Sequence, residues 1–426
     1  MKIRLKHFSA GSIRWLDVII CTVIILAPVL QQHKGFFVNA AWSALILGFP
    51  FCALRVMLSG WKIGRNVFFG LVLILAYILW TVIDHGFSAG DLMKFGILMF
   101  YYLAVVKEDF NFRYLVNISA AIILAACAAI VMQYFCYYVL HFRLQFLSPD
   151  TLLDSSSRWI KRLSVTTATA TFYRPSAFFL EPSHVFLFSF PTTLYMLFSP
   201  RSTRTMHRLG FVMIGGILAS TSGMGIAFSL ACILAYFVMY KNPVYGEGSL
   251  KNFLSLRKIL IPLMLLVLLV ILYEYSDIVH KSLVRVISES ETGYNAVAGR
   301  TSAGTELIQG LDWQQFLLGV TDAMGELGAA LSAFQATLYK YGIVGIAISY
   351  LYYLYCFACT RRDSRYLCLI LLVISFVCAH THNLFFMLSF SAFIFEGIKE
   401  NACAAAPVRD LLPAVRPGRT AAAVEN

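Results

Sequence analysis

Residues 172–184 read F-Y-R-P-S-A-F-F-L-E-P-S-H, and an apolar run over 185–198 follows at once. Arg174, Glu181 and His184 therefore fall within eleven residues, punctuated by Pro175 and Pro182. Proline suits the first position of a helix, where its missing N–H would have found no partner. That places Glu181 at the cap, with its charge at the positive end of the helix dipole. His184 comes one turn later, on roughly the same helical face as Glu181. The stretch reads as a polar lead-in to a membrane-spanning helix. It brings a guanidinium, a carboxylate and an imidazole to one face of a bilayer.

Working outward, the 426 residues are 59% hydrophobic and only 13% charged, with a mean hydropathy of +0.73. Soluble domains carry about a quarter charged residues, so the composition predicts an all-α polytopic membrane protein. Apolar runs occur near 15–31, 36–54, 67–83, 92–106, 114–140, 183–198, 209–220, 223–240, 259–273, 333–357, 366–379 and 384–396. They predict about twelve transmembrane helices, some short enough to be re-entrant. Residues 1–400 then form a single multi-pass domain. Residues 401–426, rich in Ala, Pro and Arg, form a disordered tail. No cleavable signal segment is expected at the start, and the ten cysteines, nearly all in apolar runs, do not predict a disulfide framework.

Charge sets the orientation. With both termini cytoplasmic, the inner segments collect 23 of the 34 lysines and arginines and 9 of the 22 acids. The inner face is then formally 23 − 9 = +14 and the outer face 11 − 13 = −2, as the positive-inside rule requires. The net charge of +12 is thus a topology signal and gives no reason to expect nucleic acid. Two long outer loops result, about 141–182 and 274–332, in a chain otherwise sparing of loops, and such loops carry function.

The ionisable residues of these outer segments are the candidate site. Arg174 can bind phosphate bidentately at any relevant pH, or snorkel to headgroups. Glu181 can accept a proton from a hydroxyl or support Arg174. Arg300, in Gly299-Arg300-Thr301-Ser302-Ala303-Gly304, lies in a turn of small residues that admits an anion near the backbone. Arg158, Lys161 and Arg162 share one helical face and either rest on headgroups or gather an anionic lipid. His380 and His382 flank a short outer turn between the last two runs and suit acid/base work or phosphate binding. Ser222 lies in the tight turn Ser220-Thr221-Ser222-Gly223. No metal site and no cofactor are expected, since H-x-H lacks a carboxylate or thiol partner and no P-loop, H-E-x-x-H or G-x-S-x-G is present.

With these residues in place, the chain resembles the O-antigen and exopolysaccharide repeat-unit polymerases (Wzy-like), relatives of the O-antigen ligases. The likeness rests on Arg174-Pro175-Ser176 leading to Phe179-Leu180-Glu181-Pro182-Ser183, on the Ser220–Gly223 turn, on Gly299-Arg300, and on Gly342-Ile343-Val344-Gly345. It covers roughly residues 90–395. Arg174 lacks the glycine at a fixed longer interval that some members carry. The resemblance implies a metal-independent glycosyltransferase of the bacterial cytoplasmic membrane, facing outward. It would move a growing glycan from undecaprenyl pyrophosphate onto a lipid-linked repeat unit, alongside a flippase, a chain-length regulator and membrane lipid. Arg174 and Arg300 would stabilise the leaving diphosphate, with Glu181 or the His380/His382 pair as base. Arg158, Lys161, Arg162, His184 and Ser222 would contact substrate. A ligase using the same carrier is the alternative within the class. A lipid or sugar transporter is the alternative outside it, disfavoured because the charges gather outside the spans.

Overall fold

The computed structural model describes residues 10–36, 39–59, 62–83, 88–144, 146, 173–239, 267, 274, 304–320, 331–376, 378 and 381–405. Among them the chain is helical, apart from turns and one isolated bridge between Lys34 and Asn39. The helices are α1 (Ala10–Leu30), α2 (Ala40–Leu58), α3 (Arg65–Ile83), α4 (Ala89–Val105), α5 (Phe112–Tyr138), α6 (Pro182–Phe198), α7 (Arg204–Ala219), α8 (Gly223–Met239), α9 (Trp313–Leu318), α10 (Ala333–Cys359), α11 (Arg362–Ile374) and α12 (Leu384–Ala405). All but one of the expected apolar runs coincide with a helix, and 259–273 lies almost wholly outside the described residues. Among the described residues, three helices, α2, α5 and α10, are long and apolar enough to cross a membrane, α10 when it is taken across its break at Gly342. The last helix runs to Ala405, past the expected start of the tail at 401. Asn401 ties the start of that extension to the bundle, its Nδ2 donating to the Cys359 carbonyl at 2.9 Å.

Two helices form the centre. α6 is buried around nearly its whole circumference. α12 packs against α1, α3, α4, α6, α10 and α11. Between them runs a ladder of rings: Phe186 on Phe190 at 5.2 Å, Phe190 on Phe390 at 5.3 Å, and Phe390 on Phe386 at 5.8 Å. Among apolar helices burial gains little from water exclusion, so interdigitated rings hold the pair by dispersion contact. Both helices begin at the same end of the bundle, because His184 in the first turn of α6 sits 6.3 Å, ring to ring, from Phe386 in the first turn of α12. That end also holds the turns between α1 and α2, α7 and α8, and α11 and α12, and we refer to it as the histidine end.

The opposite end is closed by charge. Arg55, fully buried near the end of α2, donates from Nε to Asp17 Oδ1 at 2.6 Å. It also donates from Nη1 to Asp109 Oδ2 at 3.1 Å. Lys399 Nζ donates to the carbonyls of Val105 and Lys107 at 2.7 and 2.8 Å, and Arg201 pairs with Glu400 at 2.7 Å. These contacts tie α1, α2, the α4–α5 turn, the α6–α7 turn and α12 together.

The expected continuous span over 333–357 is broken. Gly342 has φ +66° and ψ −171°, which divides α10 into two half-helices. A Cβ there would lie 2.2 Å from the Leu317 carbonyl, and one on Gly319 (φ +97°) would lie 2.2 Å from the Lys340 carbonyl. Only glycine permits this mutual approach of two backbones in left-handed conformations. Exposed carbonyls at a break need new donors. Val320 N–H reaches Tyr339 O at 2.8 Å and Trp80 Nε1 reaches Tyr341 O at 3.0 Å. The break is a fixed feature with its own hydrogen bonds.

Candidate functional site

The segment 173–181 is built onto its neighbours before α6 begins. Gln133, buried in the apolar run of α5, receives Ala177 N–H on Oε1 at 2.9 Å and returns Nε2 to the Ala177 carbonyl at 3.2 Å. That two-way clamp holds Ala177 at φ +52°, a conformation alanine rarely adopts. Gln32, from the α1–α2 turn, donates to the Phe178 carbonyl at 3.2 Å. Tyr173 stacks on Tyr137 with centroids 4.3 Å apart and planes at 10°, and meets Tyr134 edge-on. Arg174 leaves this braced segment half-buried, with its Nε shielded from solvent and close enough to Tyr134 to act on it electrostatically.

Glu181 occupies the cap position of α6 by backbone (φ −134°, ψ 153°), with Pro182 in the first turn, as the sequence predicts. Its carboxylate does not cap the helix. Oε2 instead accepts the Ser183 hydroxyl at 2.9 Å. His184 is buried one turn on, its N–H bound to the Glu181 carbonyl at 3.0 Å and its ring against Phe386.

Ser222 is buried at the head of α8. Its carbonyl accepts Ile226 N–H at 2.8 Å and its hydroxyl faces Gly225 N–H at 3.4 Å, so it serves the start of that helix. Its neighbour Thr221 is held at φ +55°, with a buried hydroxyl that makes no hydrogen bond among the described residues. Tyr134 Oη donates to the Ala219 carbonyl at 2.7 Å and links this turn to the helix that clamps Ala177.

His382 lies in the turn before α12. Its Nδ1 and the Thr337 hydroxyl are 2.7 Å apart, and Thr337 also bonds Tyr77 of α3. Tyr353 stacks on its ring at 6.0 Å, with Tyr77 and Tyr350 edge-on at 6.1 and 6.2 Å. Burial pushes its pKa down to about 4, so the imidazole is neutral at pH 7. The ring lines a cavity of about 190 Å³ together with Tyr77, Thr81, Thr337, Lys340 and Asn383.

The chain matches no family model, no curated protein and no solved structure.

Arg174, Glu181, His184, Ser222 and His382 thus come to one end of the bundle. Arg158, Lys161, Arg162, Arg300 and His380 lie outside the described residues. Sequence reading passed over Gln133, Trp80, Thr337 and Lys340. An amide in the middle of the apolar run 114–140 was the available signal for Gln133, since a buried amide must be hydrogen-bonded. Lys340 offered a weaker one, as a lone cation inside a long apolar run.

Proposed function

We propose that the protein is a polysaccharide polymerase. It transfers a growing glycan from undecaprenyl pyrophosphate to a lipid-linked repeat unit at the outer face of the bacterial cytoplasmic membrane. In this reading the chain crosses the membrane about twelve times, the termini are cytoplasmic and the histidine end faces outward. The observation that carries it is the braced segment around Ala177, which follows Arg174 in the chain and leads into the Glu181–His184 turn at the head of the central helix of the bundle.

The chemistry follows from those groups. Departure of a diphosphate from the anomeric carbon develops negative charge, which a guanidinium held by fixed neighbours stabilises without reorganisation. Arg174 supplies that charge, and Arg300 is the second cation of the proposal. The attacking sugar hydroxyl must lose a proton as it bonds to the anomeric carbon, and Glu181 is the proton acceptor of choice. Its carboxylate is positioned by Ser183 and is not committed to the helix cap. His382, neutral in the free protein, meets the substrate as a hydrogen-bonding group. No metal is required for these steps.

The deciding experiment uses purified protein, a defined lipid-linked repeat and EDTA, followed by sizing of the glycan. Polymer longer than the input repeat, lost in Arg174→Ala and Glu181→Gln, is the expected result. Product confined to a foreign acceptor would make the protein a ligase. Failure to form any glycosidic bond would end the transferase reading.

A further inference from the structure

Helix α7 carries two cations that the fastening of the charged end does not use. It starts at that end with Arg204, and Thr203 caps it by accepting Met206 N–H at 3.3 Å. Gly210, Met213, Ile214, Gly216 and Ile217 are buried along its inner face, and the helix packs on α5, α6 and α8. Arg204, Arg208, Val212 and Gly215 are exposed and follow one another at intervals of three or four residues, so they form one line along the outer face. Neighbouring polar side chains are engaged. Arg201 pairs with Glu400 at 2.7 Å and with Glu396 at 3.3 Å, and His207 Nδ1 lies 2.9 Å from Tyr236 Oη. Arg204 and Arg208 take part in no ion pair among the described residues.

That arrangement is locally unfavourable. Like charges four residues apart on a helix repel each other. Arg204 also stands in the first turn, at the positive end of the helix dipole, and no acidic residue shares that turn to offset it. An anion from outside the chain relieves both strains. Beyond the two guanidiniums the same line turns apolar at Val212, in the order of a phospholipid, headgroup first and chains after. We infer that the outer face of α7 at the charged end binds an anionic phospholipid, with Arg204 and Arg208 on its phosphate and Val212 and Gly215 along its chains. Guanidinium donates two parallel hydrogen bonds to phosphate, and basic surfaces beside membrane helices favour acidic lipid in this way. A zwitterionic headgroup brings an ammonium that the arginine pair repels. Such a lipid sits at the opposite end of the bundle from the proposed glycosyl transfer, and its binding does not depend on that chemistry.

The test is calorimetric titration of the purified full chain in neutral detergent with short-chain phosphatidylglycerol, phosphatidylcholine of the same chains, and inorganic phosphate. Phosphatidylglycerol binds saturably and about fivefold or more tightly than phosphatidylcholine. Arg204→Gln with Arg208→Gln brings the two lipids within about twofold of each other. Without lipid the double variant melts no lower than wild type, because the repulsion on α7 is gone. Arg65→Gln is the control for general charge. Arg65 is exposed at the start of α3, which packs on α4, α10 and α12, and its removal keeps the preference. Equal binding of the two lipids by wild type, a preference that survives the double substitution, or an equal loss in Arg65→Gln overturns the site. Phosphatidylglycerol bound no more tightly than inorganic phosphate overturns the lipid assignment. If the double variant does not fold, each single substitution is read in its place, and a preference unchanged in both overturns the site.

Discussion

The two ends of the bundle are held together by different chemistry. At one, charged side chains fasten the backbone and each other: Arg55 to Asp17 and Asp109, Lys399 to the Val105 and Lys107 carbonyls, Arg201 to Glu400. At the histidine end, neutral groups among the described residues make such contacts. Gln133 clamps Ala177, Gln32 holds Phe178, Trp80 takes the open carbonyl at the Gly342 break, and Tyr134 takes that of Ala219. A buried ion pair is costly to assemble and more costly to break, so it makes a good lock and a poor receptor. Arg174 and Lys340 lie at the histidine end, one just before the braced turn and the other beside a cavity.

Arg55→Met is the harshest test of that division. It leaves Asp17, almost fully buried, without its guanidinium. The expected loss of stability is about 3–5 kcal/mol, read as thermal unfolding in detergent. Adding Asp17→Asn should recover part of it, because the stranded charge is then gone. A single mutant that melts like wild type would show that the charged end is not a lock. Arg174→Ala should behave in the opposite way. Glycan polymer should fall by about 100-fold or more, with melting shifted by under ~1 kcal/mol. A large drop in melting would make Arg174 one more structural cation and dissolve the contrast.

Gln133→Leu sharpens the comparison from the neutral side. It removes both bonds to Ala177 and strands a buried N–H and C=O, at a cost of about 1–3 kcal/mol. Hydrogen exchange over 173–180 should rise while exchange in α12 is unchanged, and polymer yield should fall with the loosened Arg174. Protection that is unchanged would mean the tyrosine stack alone holds the segment.

The positions of the helices were legible because an apolar run long enough to span a bilayer has few other fates. The Glu181–Pro182 junction was legible too, since proline at the first helical position fixes the cap one residue earlier. The partner of the Glu181 carboxylate was not, because Ser183 competes with the helix N–H groups at equal reach. The break in α10 was invisible in 333–357. Glycines such as Gly342 and Gly345 are common in membrane helices, and the residues that make this one a break, Gly319 and Trp80, belong to distant segments. The cavity at Lys340 depends on that break and on the α11–α12 turn, so no local stretch encodes it.

Thr221→Gly is expected to have the smallest effect and the most pointed one. A β-branched residue at φ +55° carries roughly 1–2 kcal/mol of backbone strain. Its buried hydroxyl, with no hydrogen bond among the described residues, adds a further cost. Glycine relieves both and gives back about 0.5–1 kcal/mol through the entropy of the unfolded chain. The net change should be a gain of about 1 kcal/mol, measured as a higher melting temperature. Strain that persists at one position is retained where it serves a task. If the histidine end is the working end, the more stable variant should form less polymer, because the Thr221 hydroxyl, beside Ser222, is then a group kept for the substrate. A variant both more stable and fully active would show instead that this turn is strained without purpose, and Thr221 would leave the site.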